Sequence, residues 1–245
     1  MTGASRGIGE ATARHFASAG AHVVLAARDA NRINSISAEL NHAGLSACVW
    51  PTDVAQAAQV KSLIDATVEE TGRIDLLVNN AGLIDPIARL GDSDPEAWGH
   101  VVDVNLKGVY HGLRYAIPVM IAQGGGTVVN ISSGAAVSAL EGWSHYCSTK
   151  AAVLSLTRVA DTEYRDHGVR VIGLSPGTVA TQMQRQISAS GINPVSRLDW
   201  SAHIGAEWVA KAIEWLTTAE ADGYRGTDFS LKTDEGRRLI GMPLS

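Results

Sequence analysis

Tyr146 and Lys150 stand four residues apart in a stretch that reads as helix, so their side chains share one face about a turn apart. A phenol has an ordinary pKa near 10, too high for ready proton exchange at neutral pH. A neighbouring ammonium favours the phenolate and is expected to lower that value. A tyrosine tuned in this way is a general acid for carbonyl reduction, and a base for the reverse reaction. A second chemical feature opens the chain, where "TGASRGIG" carries glycines at 3, 7 and 9. A glycine-rich turn that starts a helix lets backbone N–H groups approach an anion, and the helix N-terminus adds partial positive charge. Each feature also has an ordinary reading: a pair on a helix surface, and a tight turn with no ligand.

The elements that must position these groups are legible as alternating patterns. Apolar runs recur at 22–27, 45–50, 74–79, 126–132 and 169–175, mostly continuous rather than alternating. Strands of that kind are buried on both faces, as in a parallel sheet covered by helices. Helical spacing lies between them, with Ile8, Ala11, Thr12, Phe16 and Ala19 in one segment and Ile33, Ile36 and Leu40 in another, ahead of Gly44 as a stop. Asp94-Pro95-Glu96 reads as an N-cap, a first-turn proline and a first-turn acid. Residues 205–218 read as a late amphipathic helix. The expectation is an α/β fold, a doubly wound parallel sheet in a single domain over residues 1–245.

Composition narrows the function classes. The chain has 245 residues, 45% hydrophobic, with a net charge of -5. That balance argues against a nucleic-acid surface, which needs a basic patch. Cys48 and Cys147 form no disulfide framework and no metal-ligand spacing, so no metal is expected. No signal peptide and no apolar run of about 18 residues is present, so the expectation is a cytoplasmic protein with no membrane partner.

Beyond the glycine loop come "NNAG" (79–82), "VNLKG" (104–108), "NISS" (130–133), "YCSTK" (146–150) and "SPGTVATQM" (175–183). In type and order these segments resemble the short-chain dehydrogenase/reductase family over roughly residues 2–183. The likeness is nearest the sepiapterin/benzil-reductase-like branch. It implies a Rossmann fold and a nicotinamide dinucleotide. It assigns Ser133 as a hydroxyl donor to the substrate oxygen, with Ser132 pointing to the opposite face. Lys150 also holds the nicotinamide ribose, and Asn105 supports a water chain from Lys150 to solvent. The alternative for Asn105 is a helix-interior amide bonded to a backbone carbonyl.

The same resemblance distributes the cofactor contacts. Gly3, Ser5, Arg6, Ile8 and Gly9 form the phosphate loop. Asp53 and Val54 meet the adenine, or Asp53 caps a helix starting near Ala55. Asn79 and Ala81 line the adenosine side, and Pro176, Gly177, Val179 and Thr181 cup the nicotinamide carboxamide. Residues 182–203 cover the substrate, where Leu140, Trp143 and Met183 suggest an apolar pocket. Arg185 and Arg197 read as solvated surface, with binding of an acidic substrate as the alternative, and His203 reads as structural. The family's first strand lies in mid-sheet, yet only Met1 precedes the loop. The strand is therefore expected to be missing or truncated, with Met1 an internal methionine of a longer chain. The final stretch, "YRGTDFSLKTDEGRRLIGMPLS", departs from the family's common ending. A homodimer or homotetramer is implied, paired through helices near 99–122 and 144–166.

Cofactor choice turns on the end of the second expected strand, "LAARD". An NAD site places an acid there, whose charge repels a 2′-phosphate. Here Ala27 holds that place, Arg28 follows, and Arg6 sits in the glycine loop. Two guanidiniums can converge on one phosphate, which favours NADP(H) over NAD(H). In the alternative, Asp29 reads the ribose of NAD. The expected activity is NADPH-dependent reduction of a small ketone. NAD-dependent oxidation of a secondary alcohol and dinucleotide binding without turnover are the alternatives.

Overall fold

Strand and helix alternate along a computed structural model that describes residues 1–244. The elements are α1 (Gly7–Ser18), β1 (Val23–Ala27), α2 (Ala30–His42), β2 (Ala47–Pro51), α3 (Ala57–Thr71) and β3 (Leu76–Asn79). Then follow α4 (Pro95–Val102), α5 (Gly108–Ala122), β4 (Gly126–Ile131), α6 (Ser144–Tyr164) and β5 (Val169–Ser175). The chain closes with α7 (Gln182–Ser190), α8 (Ala206–Leu216), β6 (Asp228–Ser230) and α9 (Asp234–Leu239). All paired strands run parallel.

Successive residues of each inner strand serve opposite faces of the sheet, as the two-residue period of a strand requires. Leu77, Val128 and Val171 join Ile64 of α3, Leu113 of α5 and Val153 of α6 in one core. Their neighbours Val78, Val129 and Ile172 join Val209, Ile213 and Leu216 of α8 in the other, with Phe16 of α1 packed against it. The doubly wound arrangement follows from that alternation.

Hydrogen bonding divides the strands into a pair, β1–β2, and a continuous run of four, β3–β4–β5–β6. Residues 1–4 lie between the two. The α-amino group of Met1 donates to Val24 O at 3.0 Å. Ala26 N donates to Met1 O at 3.0 Å, and Thr2 N donates to Val78 O at 3.1 Å. Thr2 Oγ1 accepts from Asn80 N at 3.0 Å and from Ala81 N at 3.2 Å. This is a single parallel bridge, Thr2 to Ala26, rather than a strand. Burial lowers the Met1 ammonium to about 6.

The Asp94 cap is as expected: its carboxylate accepts from Ala97 N at 2.8 Å, with Pro95 in the first turn. One long helix near 99–122 was expected, but α4 and α5 are joined by a π-helical turn at Asp103–Lys107. In the atypical tail, β6 adds a sixth strand that the sequence did not reveal. The tail is fastened by the fully buried Asp161 of α6, which pairs with Arg165 and with Arg225 Nε, the latter at 3.4 Å.

Candidate active site

A cleft of about 920 Å³ opens at the C-terminal ends of the strands, lined from Arg28 and Asp53 at one end to Tyr146, Lys150 and Met183 at the other. Its floor is the glycine loop. Gly3 (φ +64°) and Gly7 (φ +56°) occupy left-handed backbone that other residues rarely adopt. A Cβ at Gly9 would stand 2.1 Å from Gly3 O, so Gly9 is needed for loop–helix packing. Gly9 does not line the cleft, whereas Gly3, Ser5, Arg6 and Ile8 do. No side chain caps the first turn of α1. The N–H groups ahead of Glu10, whose own N–H donates to Arg6 O at 3.3 Å, have no side-chain cap and suit an anion. With the cradle and two arginines beside it, these residues fit a dinucleotide.

Ser133, Tyr146 and Lys150 come together at the other end of the cleft. Ser132 and Ser133 point apart as expected at a strand end. Ser132 Oγ donates to Asp228 Oδ2 at 2.6 Å, while Ser133 Oγ accepts from Ala135 N at 3.1 Å. Tyr146 departs from the sequence expectation. Protein packed around it strips water from the phenol and pushes its pKa up to about 12, with the Ser133 hydroxyl opposing. Lys150 does not offset this. Its ammonium lies 5.5 Å from the centre of the Tyr146 ring and donates to Ile131 O at 2.6 Å. Burial brings Lys150 down to about 8. A phenol held protonated is the form that donates a proton to a carbonyl oxygen being reduced.

Asn105 makes the backbone contact that its alternative described. It is fully buried in the π-helical turn, and its amide closes a two-way bond with the backbone of Leu83, Oδ1 accepting at 2.7 Å and Nδ2 donating at 2.9 Å. It fixes the loop after β3 and makes no hydrogen bond to Lys150. Asp53 accepts from Ala55 N at 3.1 Å, but α3 starts only at Ala57, so this is a local turn rather than a helix cap. Asp53 and Val54 both line the cleft.

Asn79 is a correction. It is buried in the sheet, donating to Asn130 Oδ1 at 2.9 Å, and it does not line the cleft. The strand's alternation turns its neighbour Asn80 to the site instead, where its amide donates to Thr2 O at 2.9 Å and Gly3 O at 3.2 Å. Ala81, Pro176, Gly177, Val179 and Thr181 line the cleft as expected, and Thr181 also caps α7. Of the expected apolar pocket, only Met183 lines the cleft itself. Trp143 is buried behind Tyr146, edge to face at 5.6 Å, in a cluster with Ile84 and Ile187 against which Leu140 packs. The cover is tied down where Gln186 Nε2 donates to Asp85 Oδ2 at 2.7 Å.

Residues outside the cleft complete the picture. His203 is buried against Trp200 with neither ring nitrogen hydrogen-bonded. Arg185 lies over Trp200 at 5.4 Å. Cys48 does meet potential ligands that its sequence spacing concealed. His22, Cys48 and Glu70 bring their ligand atoms within 4.8 Å of one another at the far end of β1 and β2. No helix among the described residues is long and apolar enough to cross a membrane.

Comparisons with known proteins agree with this geometry. The sequence profile described as short chain dehydrogenase matches residues 1–191. The chain is 37% identical over 217 residues to an uncharacterized oxidoreductase of Staphylococcus saprophyticus, covering 88% of this chain and 87% of that one. It is 35% identical over 226 residues to a 3-oxoacyl-[acyl-carrier-protein] reductase of Synechocystis, covering 91% and 90%. The crystal structure of levodione reductase superposes with a TM-score of 0.87 at 26% identity, covering 97% of this chain and 95% of that one. The chain belongs to the short-chain dehydrogenase family and is an NAD(P)-dependent oxidoreductase acting on CH–OH and C=O groups.

Proposed function

We propose that the protein is an NADPH-preferring reductase of a small ketone. The observation that carries the cofactor choice is the state of the charges at the adenosine end of the cleft. Arg6 and Arg28 line it, and among the described residues neither pairs with a carboxylate. Nearby Arg32 is held by both oxygens of Glu10 at 2.8 and 2.9 Å. Asp29 is engaged as the cap of α2, accepting from Arg32 N at 3.0 Å. Two guanidiniums without carboxylate partners, with Asp29 turned to the N-terminus of its own helix, suit a 2′-phosphate.

The bound nicotinamide would supply the hydride. The chain's own residues do the rest: Ser133 directs its hydroxyl to the carbonyl oxygen and Tyr146 delivers the proton there. Lys150 places a positive charge beside them and holds the ribose. A protonated Tyr146 can donate the proton that a reduction requires, and two of the relatives described above are named as reductases. Initial rates with NADPH and NADH over a ketone panel test the reading. A preference for NADPH of at least tenfold in kcat/KM is expected, equivalent to about 1.4 kcal/mol. Equal or better use of NADH would instead support the second reading, an NAD-dependent secondary-alcohol dehydrogenase, for which Asp29 also lines the cleft.

The family's usual pairing supports a homodimer or homotetramer built on α5 and α6. Tyr110 of α5 and Val159 of α6 are both about half exposed and suit a two-fold contact. A solution mass near 26 kDa by light scattering at micromolar concentration would exclude it.

A further inference from the structure

The tail strand β6 brings an acid up behind the catalytic lysine. Asp228 pairs in register with Gly173 of β5. That glycine makes room for it, since a Cβ at 173 would stand 1.8 Å from Asp228 Oδ1. Ser132 Oγ holds Oδ2 at 2.6 Å, and Oδ1 is buried with no hydrogen-bond partner. Lys150 is buried too, and its one hydrogen bond goes to Ile131 O at 2.6 Å. Ile131 and Ser132 are consecutive, so the end of β4 presents the acceptor for the lysine and the donor for the carboxylate side by side.

A buried ammonium with a single neutral acceptor is poorly stabilised, because one carbonyl does not replace its hydration. We propose that Asp228 is the counter-ion of Lys150, a positioning residue that keeps the lysine in its ammonium form from behind Ser132. The proposal rests on the reading of Lys150 as the cation of the active site.

The charged neighbours are few. Tyr146 faces Lys150 from its own helix, and Asp228 faces it from β6. Asp228 is the only charge among the described residues that favours the ammonium, against the burial that brings it to about 8. Asp228 in turn feels Lys150 and Arg158 from α6 and the Ser132 hydroxyl from β4, and β5 offers only Gly173. These three oppose the upward push of burial on its carboxyl and favour its charged form. Neutralising Asp228 removes the one charge that supports the ammonium. Lys150 then loses its proton at a lower pH, so the alkaline limb of the reaction moves down the pH scale.

The test compares the parent with Asp228→Asn, which keeps the shape and an acceptor for Ser132. Acetic anhydride reacts only with the neutral amine. Labelling at Lys150, followed by mass spectrometry across pH, therefore reads the lysine without any turnover. The midpoint is expected to fall by about one pH unit in the variant. The alkaline limb of kcat/KM should fall with it, while the plateau on the acid side is unchanged. A folded variant whose labelling midpoint stays at the parent value overturns the proposal. If Asp228→Asn does not fold, Asp228→Ser serves instead. It is smaller and neutral and removes the same charge, so the midpoint must move in the same direction, and an unmoved midpoint overturns the proposal. A labelling shift in a protein that reduces no ketone would uphold the counter-ion and end the reductase reading.

Discussion

The β1–β2 pair and the β3–β6 run are built from the same kind of strand but are tied in differently. Each strand of the run is paired along its length, and its residues alternate between two deep cores. The pair has its own smaller core with α1 and α2, and its backbone link to the run passes through residues 1–4. Met1 and Phe16 pack against both the β1–β2 core and the α8 side of the run, so the halves share some apolar contact. The groups proposed for catalysis stand on the run: Ser133 follows β4, and Tyr146 and Lys150 lie on α6. Arg28 and Asp53, which address the adenosine end, follow β1 and β2. Chemistry and cofactor choice thus stand on supports of different continuity, and each can be disturbed while the other is kept.

Tyr146→Phe should have the largest effect. It removes the general acid while leaving the ring that packs on Trp143, so the rate should fall roughly 10²–10⁴-fold. Cofactor affinity, measured by fluorescence quenching, should hold. Activity within threefold of the parent would show that the proton comes from elsewhere.

Arg28→Asp acts on the other half. It should lower kcat/KM with NADPH by tenfold or more and erase or reverse the preference over NADH. The rate of the chemical step, read in single-turnover experiments at saturating cofactor, should be unchanged. A variant that keeps the NADPH preference would place 2′-phosphate recognition away from the end of β1.

The smallest effect is expected at the link itself. Thr2→Val deletes a hydroxyl that donates to Val78 O and accepts from Asn80 N and Ala81 N. Leaving those two amides without that acceptor costs about 1–3 kcal/mol. Hydrogen exchange should quicken in β1 and β2 more than in β4 and β5. Uniform acceleration over all strands would mean that the halves open as one unit.

The sequence carried the Tyr146–Lys150 pair and the glycine loop because their patterns are local, and the family resemblance added Ser133. Tyr146 and Lys150 are a turn apart, and φ above zero at Gly3 and Gly7 demands glycine whatever surrounds it. What the sequence concealed depends on which face a side chain takes or on what arrives from afar. Asn79 and Asn80 are identical in type, and only the sheet's pleat decides which one meets the cleft. Asn105 carries an amide whose bonds to the backbone of Leu83 depend on where the loop after β3 lies, which spacing along the chain does not show. The expected lowering of the Tyr146 pKa failed because spacing gives proximity but not burial. Asp228 was invisible because a three-residue strand has too few positions to show a period.

The Asp161 clamp and β6 also bear on the order of assembly. Strand β6 pairs with β5 only after roughly fifty intervening residues have closed into a loop, which is entropically unfavourable until the ends are captured. The pair of Asp161 with Arg225, just ahead of the strand, closes the same long loop from the side of α6. The Tyr146–Lys150 face forms from residues close in sequence, whereas the glycine loop is also held from the end of β3 by Asn80. The carboxylate behind Lys150 therefore hangs on the far side of a long loop closure, so a change that loosens the tail would displace Asp228 without touching the helix that carries Tyr146 and Lys150.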